Sequence, residues 1–298
     1  MTGISTILRR RHLFLGAAAT VLTTRFAAAA DMPRLAAIDW AMLETSIALG
    51  VMPVAATELI QFRKDAIEPE IPAGVIDLGL RGTPNFELLS VIKPDLILLS
   101  PFYTRHQAAL ERIAPIISLP FYVKGEPPFE KACAAVSALG ARLGPERDAT
   151  SVLIEIESRL AEYRSGLARF ARRPIYLVNV GDARHVRVFG SDSMFGDVLS
   201  RLGLRNAWPD RSRYTFAAPV PIEQLAKEED ARIVIISAIP VEARAGLRAS
   251  MIWNALTPVR EGRLLTLPNI NPYGGVLAGL RFARLLHETL AASGEGDQ

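Results

Sequence analysis

The chain has 298 residues, of which 50% are hydrophobic and 22% charged, with a formal net charge of +3 and one cysteine, Cys133. Such an apolar, weakly charged chain can bury enough surface to offset the entropy lost on ordering, which excludes intrinsic disorder. A single cysteine excludes an intramolecular disulfide scaffold and a zinc site built from several cysteines.

Residues 1–30 predict an export signal. They contain four arginines, three of them consecutive at 9–11, and no acidic residue. An uncharged stretch rich in Leu and Ala follows at 13–24, and Ala28 and Ala30 fit the A-x-A pattern of a cleavage site. The apolar stretch is shorter than the roughly 20 residues that a membrane-spanning helix needs. We therefore expect cleavage near Ala30 and a soluble periplasmic product.

The run Arg10-Arg11-His12-Leu13-Phe14 has the form of a twin-arginine signal, which would imply export after folding. An ordinary Sec signal with a strong basic cluster is the alternative. Without the four signal arginines, 30 basic residues face 31 acidic ones, a net charge of −1. The basic character of the chain therefore belongs to the signal, and we expect no nucleic acid as a partner.

Short, continuous apolar runs predict strands in the mature chain. Runs without polar alternation are typical of parallel strands covered by helices on both faces, an α/β architecture. The strongest are 96–99, 175–178 and 233–236, and shorter candidates lie at 116–119 and 264–267.

A helical pattern over residues 146–172 separates the two groups of strands. Its apolar positions form one stripe, made of Val152, Ile156, Leu160, Tyr163 and Leu167. At about 1.5 Å per residue this helix would measure roughly 40 Å, which favours a bridge between two lobes over a surface helix of one large domain. We predict a signal at 1–30, an N-terminal lobe at 31–145, a bridging helix at 146–172 and a C-terminal lobe at 173–298.

An internal repeat supports the two lobes. Glu87 and Glu223 each open a short helical segment that leads into a buried strand, and these strands end in Ser100 and Ser237. A glutamate in the first turn suits the helix dipole, which is a sufficient structural reason for either residue.

Signatures of catalysis are missing. The sequence has no G-x-G-x-x-G after a strand, no P-loop, no G-x-S-x-G and no H-E-x-x-H, and its four histidines are isolated. We therefore predict that the protein is not an enzyme and builds no metal site of its own.

Several segments along the whole chain carry a resemblance to one known family. They are residues 38–40, 49–51, 75–81, 84–85, 112–115, 184–190, 193–195, 206–208 and 272–274. In these segments the chain resembles the substrate-binding proteins of ABC importers for iron–siderophore complexes and vitamin B12, and most closely the ferric-hydroxamate binders. The resemblance implies two αβ lobes joined by one long rigid helix, the class III periplasmic binding protein fold. It also implies a monomer with no built-in cofactor.

The resemblance implies a ligand site as well. The ligand would be an iron(III)–hydroxamate siderophore, whose own oxygens hold the iron. The arginine and tyrosine that contact hydroxamate oxygens in this family map onto Arg81 and Tyr103, and Tyr214, Phe216 and Tyr273 are candidate aromatic walls.

Partners follow from the same resemblance. An acidic residue on each lobe docks on arginines of the inner-membrane ABC permease in this class, and Glu87 and Glu223 fit that role. Cobalamin or haem binding by a protein of the same class stays open as an alternative, as does an enzyme that releases iron from the chelate.

The chain departs from the family where several cleft tryptophans are expected. It offers Asp65, Thr215 or Phe216, and Asn271 at those places, with Phe62 as a further possible wall. Arg105, Arg211 and Arg213 lie near the same segments, so we hypothesise a more polar cleft that prefers an anionic, citrate-containing chelate.

Overall fold

The computed structural model describes residues 32–145, 147–211 and 219–294, and these contain two five-stranded sheets. The strands of the N-terminal sheet are β1 (Leu35–Ala37), β2 (Ala55–Ala56), β3 (Ile76–Asp77), β4 (Leu96–Leu99) and β5 (Ile116–Ser118). Their spatial order is β3-β2-β1-β4-β5, and all neighbours are parallel.

The C-terminal sheet is mixed. Its strands are β6 (Ile175–Val180), β7 (His185–Val188), β8 (Val220–Pro221), β9 (Arg232–Ile236) and β10 (Leu264–Leu267). Their order is β10-β9-β6-β7-β8, with β7 antiparallel to both of its neighbours and the other pairs parallel. All five apolar runs predicted as strands are confirmed, with ends that differ by at most two residues.

Helices cover both sheets. They are α1 (Trp40–Ala48), α2 (Leu59–Asp65), α3 (Phe86–Ile92), α4 (Gln107–Leu110), α5 (Phe129–Leu143), α6 (Ala149–Leu167), α7 (Met194–Arg201), α8 (Val241–Ala249), α9 (Met251–Ala255), α10 (Thr257–Arg260) and α11 (Val276–Ala292). Three 3₁₀ segments lie at Pro101–His106, Ala168–Phe170 and Ile222–Lys227. No helix in the described part is both long and apolar enough to cross a bilayer.

Helix α6, the element between the two sheets, is shorter than predicted. It begins at Ala149 because the Asp148 carboxylate caps it, accepting a hydrogen bond of 3.0 Å from the amide of Ser151. It gives way to the 3₁₀ turn after Leu167, so its length is about 28 Å instead of roughly 40 Å. The predicted bounds of 146–172 are therefore wrong at both ends, and Glu146 lies outside the described residues. The predicted stripe is present, since Ile156, Leu160 and Leu167 are buried.

One hydrophobic core runs through both halves of the fold. On β4, Leu96 and Leu98 belong to this core, whereas Ile97 and Leu99 face a separate cluster on the opposite side of the sheet. Strand β9 divides in the same way. Helix α11, which follows the last strand of the C-terminal sheet, packs against α1, α5, α6 and α7. A continuous core of this kind resists a large rotation of one sheet against the other.

The internal repeat is confirmed as a helical segment followed by a buried strand. Helix α3 leads into β4 and the 3₁₀ segment Ile222–Lys227 leads into β9. The two copies differ in helix type, since the second forms a 3₁₀ helix.

Candidate ligand-binding cleft

A cavity of about 640 Å³ lies between the two sheets. Asn179, Ser237 and Asn269 line it from the carboxyl ends of β6, β9 and β10, and Lys64 and Asp65 of α2 face them from the other side. The carboxyl ends of parallel strands are where ligands bind in open α/β sheets. This cleft is therefore the candidate site.

Charged side chains of both signs line the cleft. Lys64, Arg187 and Arg244 contribute positive charge, and Asp65 and Glu242 contribute negative charge. Four of the five are exposed and Asp65 is half-buried, so solvent screens their effect on a ligand. The near balance of signs does not by itself select an anionic ligand.

Tyr273 lines the cleft and is 37% exposed. Its ring packs edge-on against Tyr122, with centroids 6.1 Å apart. The Tyr122 hydroxyl donates a hydrogen bond of 2.6 Å to the carbonyl oxygen of Gly274. The backbone that carries Tyr273 is thereby tied to the N-terminal half of the chain.

Arg81 is held in a defined orientation. Its Nε donates to Glu58 Oε2 at 2.7 Å and its backbone amide donates to Glu58 Oε1 at 3.0 Å. The guanidinium carbon lies 4.0 Å from the ring centroid of Trp40. Within the described residues, no protein atom accepts a hydrogen bond from Nη1 or Nη2. Two charge-assisted donors are therefore available to a ligand.

Tyr103 lies near Arg81, in the 3₁₀ segment that follows β4. Burial raises the pKa of its phenol to about 12. The positive charge of Arg81 lowers this pKa, and Tyr273 raises it. The phenol is therefore neutral at physiological pH and can donate a hydrogen bond. The three predicted residues Arg81, Tyr103 and Tyr273 share one neighbourhood, although only Tyr273 lines the 640 Å³ cavity itself.

The remaining predicted wall residues have different outcomes. Tyr214 and Phe216 lie outside the described residues. Phe62 is fully buried and packs edge-on against Trp40 at 5.1 Å, because it lies on the core-facing side of α2. Asn271 is 1% exposed and donates to a buried glutamate. The expectation that Phe62 or Asn271 forms the cleft surface is therefore wrong.

Glu44 is a fully buried glutamate beside the cleft that the sequence did not predict. It is 0% exposed on α1, and its Oε2 accepts hydrogen bonds of 2.8 Å and 3.0 Å from the amides of Gly275 and Ala278, at the start of α11. Its Oε1 accepts from Asn271 Nδ2 at 2.9 Å. Burial raises the pKa of Glu44 to about 7. The carboxylate thus caps a helix from a distant element and fixes the loop that presents Tyr273.

The two predicted docking residues are exposed. Glu87 lies in the first turn of α3, and Glu223 lies in the first turn of the 3₁₀ segment before β9. A segment that returns between parallel strands runs opposite to them, so each glutamate lies toward the edge of its sheet where the strands end. In the C-terminal sheet this edge carries the cleft residues Asn179, Ser237 and Asn269.

Residues 32–145, 147–211 and 219–294 contain no group of three or more His, Cys, Asp or Glu side chains placed to hold a metal ion. The donors that line the cleft include guanidinium, ammonium, phenol, hydroxyl and amide groups. These groups suit hydrogen bonding to ligand oxygens.

The chain is similar to known binding proteins over most of its length. The family described as "Periplasmic binding protein" matches residues 35–270. The Escherichia coli (strain K12) protein named iron(3+)-hydroxamate-binding protein FhuD is 31% identical over 293 residues, which cover 97% of this chain and 99% of that protein. The Fe(3+)-citrate-binding protein YfmC of Bacillus subtilis (strain 168) is 25% identical over 237 residues, which cover 78% of this chain and 71% of that protein.

The structural comparison gives the same result. The crystal structure of the siderophore-binding protein FhuD from Vibrio cholerae with Fe3+–Desferal bound matches with a TM-score of 0.81 and 26% identity, over 88% of this chain and 98% of that one. The predicted class III fold, with two αβ halves and one helix between them, is confirmed. The chain belongs to the periplasmic binding protein family.

Proposed function

We propose that this protein is the substrate-binding component of an ABC importer and captures an iron(III)–hydroxamate siderophore in the cleft between its sheets. The observation that carries the proposal is the arrangement of Arg81 and Tyr103. Arg81 presents two Nη groups that have no partner in the described part of the chain, and the neutral phenol of Tyr103 lies near them. A guanidinium fork and a phenol together suit the paired oxygens of a hydroxamate.

The siderophore, not the protein, would coordinate the iron. The oxygens of three hydroxamates complete the iron coordination, so the protein needs only hydrogen-bond donors and apolar contact area. The identity of 31% to a protein named as an iron(3+)-hydroxamate binder supports this ligand class. No built-in cofactor and no catalytic step belong to the proposal.

Delivery would use the two exposed glutamates. Glu87 and Glu223 lie on different halves of the fold, each in the first turn of a short helical segment. We propose that they pair with arginines of the inner-membrane permease, because exposed carboxylates at both edges of the cleft can dock a monomer in a single orientation. The continuous core predicts only a small closure of the cleft on loading.

The site of action would be the periplasm. Residues 1–30 would direct export, with cleavage near Ala30, and they lie outside the described residues. N-terminal sequencing of the protein from a periplasmic extract tests the cleavage. Arg10→Lys combined with Arg11→Lys should block export by the twin-arginine route, and normal export of this variant would favour Sec.

Tryptophan fluorescence tests the ligand class. Trp40 lies beneath Arg81, whereas Trp208 and Trp253 pack with the cluster on the outer face of the C-terminal sheet. The double variant Trp208→Phe/Trp253→Phe leaves Trp40 as the only reporter. We expect saturable quenching with ferrichrome, and little change with cobalamin, haem or iron-free siderophore.

Two results of that titration would contradict the proposal. Saturable quenching by cobalamin or haem alone would move the protein to the alternative ligand class. A change in the absorption of ferrichrome that shows iron release by the purified protein would indicate an enzyme.

A further inference from the structure

Glu58 has an uncommon backbone conformation for its residue type. It precedes α2 with φ 52° and ψ 40°, in the left-handed region that costs a non-glycine residue free energy. Its amide donates a hydrogen bond of 2.8 Å to the carbonyl oxygen of Gly79. The unfavourable backbone is thereby held by the loop that leads to Arg81.

The side chain of Glu58 does not cap the helix that it precedes. Asp77 does so instead, with Oδ2 accepting a hydrogen bond of 3.0 Å from the amide of Leu59. Both carboxylate oxygens of Glu58 are thus available to Arg81, and both bond to it, Oε1 to the backbone amide and Oε2 to Nε. The conformation of Glu58 is explained by Arg81 and not by α2.

Two side chains fix the guanidinium of Arg81. Trp40 covers one face, and Trp40 is itself fixed by burial and by a hydrogen bond of 3.0 Å from its Nε1 to the carbonyl oxygen of Thr57. Glu58 occupies the Nε edge, and the side chains of the pair are only 22% and 19% exposed. The Nη edge is what remains for a ligand. Its direction is set before the ligand arrives.

Glu58 also changes the charge that a ligand meets. The ion pair with Glu58, at 2.7 Å, offsets part of the positive charge of Arg81, and the buried carboxyl of Asp39 also interacts with Arg81. An anionic chelate placed on the Nη edge would gain the donors but also face the carboxylate of Glu58, which repels it. A chelate without negative charge would meet the donors alone.

We propose that Glu58 is a specificity-determining and positioning residue, which orients Arg81 and makes the cleft select ferric chelates without net negative charge. This inference rests on the proposed function. It runs against the expectation from the sequence that a polar cleft prefers an anionic, citrate-containing chelate.

The test compares two chelates and three variants. Affinities for ferrichrome, which is neutral, and for ferric citrate, which is anionic, are measured by calorimetry for the wild type and for Glu58→Gln, Glu58→Gly and Asp65→Asn. Glycine tolerates the left-handed backbone, so Glu58→Gly removes the carboxylate without adding backbone strain. Asp65→Asn is the matched control, because it removes one negative charge from the same cleft without touching Arg81.

We expect both Glu58 variants to bind ferrichrome about tenfold more weakly and ferric citrate about tenfold more tightly than the wild type. Asp65→Asn should change the ratio of the two affinities much less. An unchanged ratio in the Glu58 variants, or an equal change in Asp65→Asn, overturns the inference. Wild-type protein that binds neither chelate would instead overturn the proposed function, and wild-type preference for ferric citrate would overturn the role of Glu58.

Discussion

Replacing Glu44 by glutamine removes the charge of a carboxylate that is 0% exposed between α1 and the start of α11. Burial raises its pKa from 4.5 to about 7, although hydrogen bonds from Asn271, Gly275 and Ala278 favour the ionised form. This rise in the pKa means that ionising Glu44 costs about 3 kcal/mol more in the folded chain than in the unfolded chain. The perturbation is therefore large enough to measure.

The sign of the pH dependence of the free energy of unfolding follows from the protons bound by the folded and unfolded chains. Between about pH 4.5 and 7 the folded chain keeps the Glu44 proton while the unfolded chain has lost it. The contribution of Glu44 to the free energy of unfolding thus falls as the pH rises through this window, by about 3 kcal/mol in total. Glu44→Gln cannot titrate, so the unfolding free energy of the wild type minus that of the variant should fall by the same amount.

Urea unfolding followed by far-UV circular dichroism, at several pH values from about 4.5 to 8, gives this difference. Glu162→Gln, on the exposed side of α6, controls for removal of a charge from the chain. If the unfolding free energy of the wild type minus that of Glu44→Gln stays constant with pH, the pKa of Glu44 is not raised by burial. A difference that rises with pH would show that the three hydrogen bonds outweigh the burial of the carboxylate.

Three further predictions concern the cleft and its surroundings. Tyr103→Phe removes one hydroxyl donor, so calorimetry should show about tenfold weaker ferrichrome binding with an unchanged urea midpoint, and equal affinity would remove the phenol from the site. Glu87→Ala combined with Glu223→Ala should abolish siderophore uptake by cells while ferrichrome affinity is retained, because both glutamates are exposed; normal uptake would argue against docking. Gly274→Ala should lower the free energy of unfolding by about 1–3 kcal/mol, because the added Cβ would lie 2.5 Å from the Glu44 carboxylate; an unchanged Tm by calorimetry would contradict that packing.

The strands that could be predicted from the sequence are those with continuous apolar runs. β4 and β9 are fully buried, and their residues face a cluster on each side, which is why they show no polar alternation. β1, β2 and β3 have only two or three residues each, so no periodicity marks them. They are strands because each pairs with a neighbour in the sheet, β1 with β4 and β2, and β2 with β3.

Some residues of the proposed site could be named from the sequence, whereas the residues that hold them in place could not. Arg81 and Tyr103 are proposed from the resemblance, and Arg81 ends one of the short segments that carry it. Glu58, which holds Arg81, and Glu44, which holds the loop of Tyr273, could not be predicted, because Glu58 is 23 residues before Arg81 and Glu44 is 227 residues before Asn271. Contacts over such separations are set by the packing of whole elements and leave no local pattern in the sequence. The bounds of α6 were missed for a different reason, since the helical pattern continues through the 3₁₀ turn that ends the helix.

Calorimetric titration of ferrichrome into the wild type and Arg81→Ala tests whether Arg81 holds a ferric hydroxamate in the cleft. We expect saturable binding at one site of the wild type, and affinity about 10–100-fold lower in Arg81→Ala, because charge-assisted hydrogen bonds are lost. Arg105→Ala is the matched control, since Arg105 is exposed and its Nη2 donates to the carbonyl oxygen of Gly82. Absence of binding to the wild type would contradict the proposed ligand class, and equal affinity in Arg81→Ala would contradict the role of Arg81.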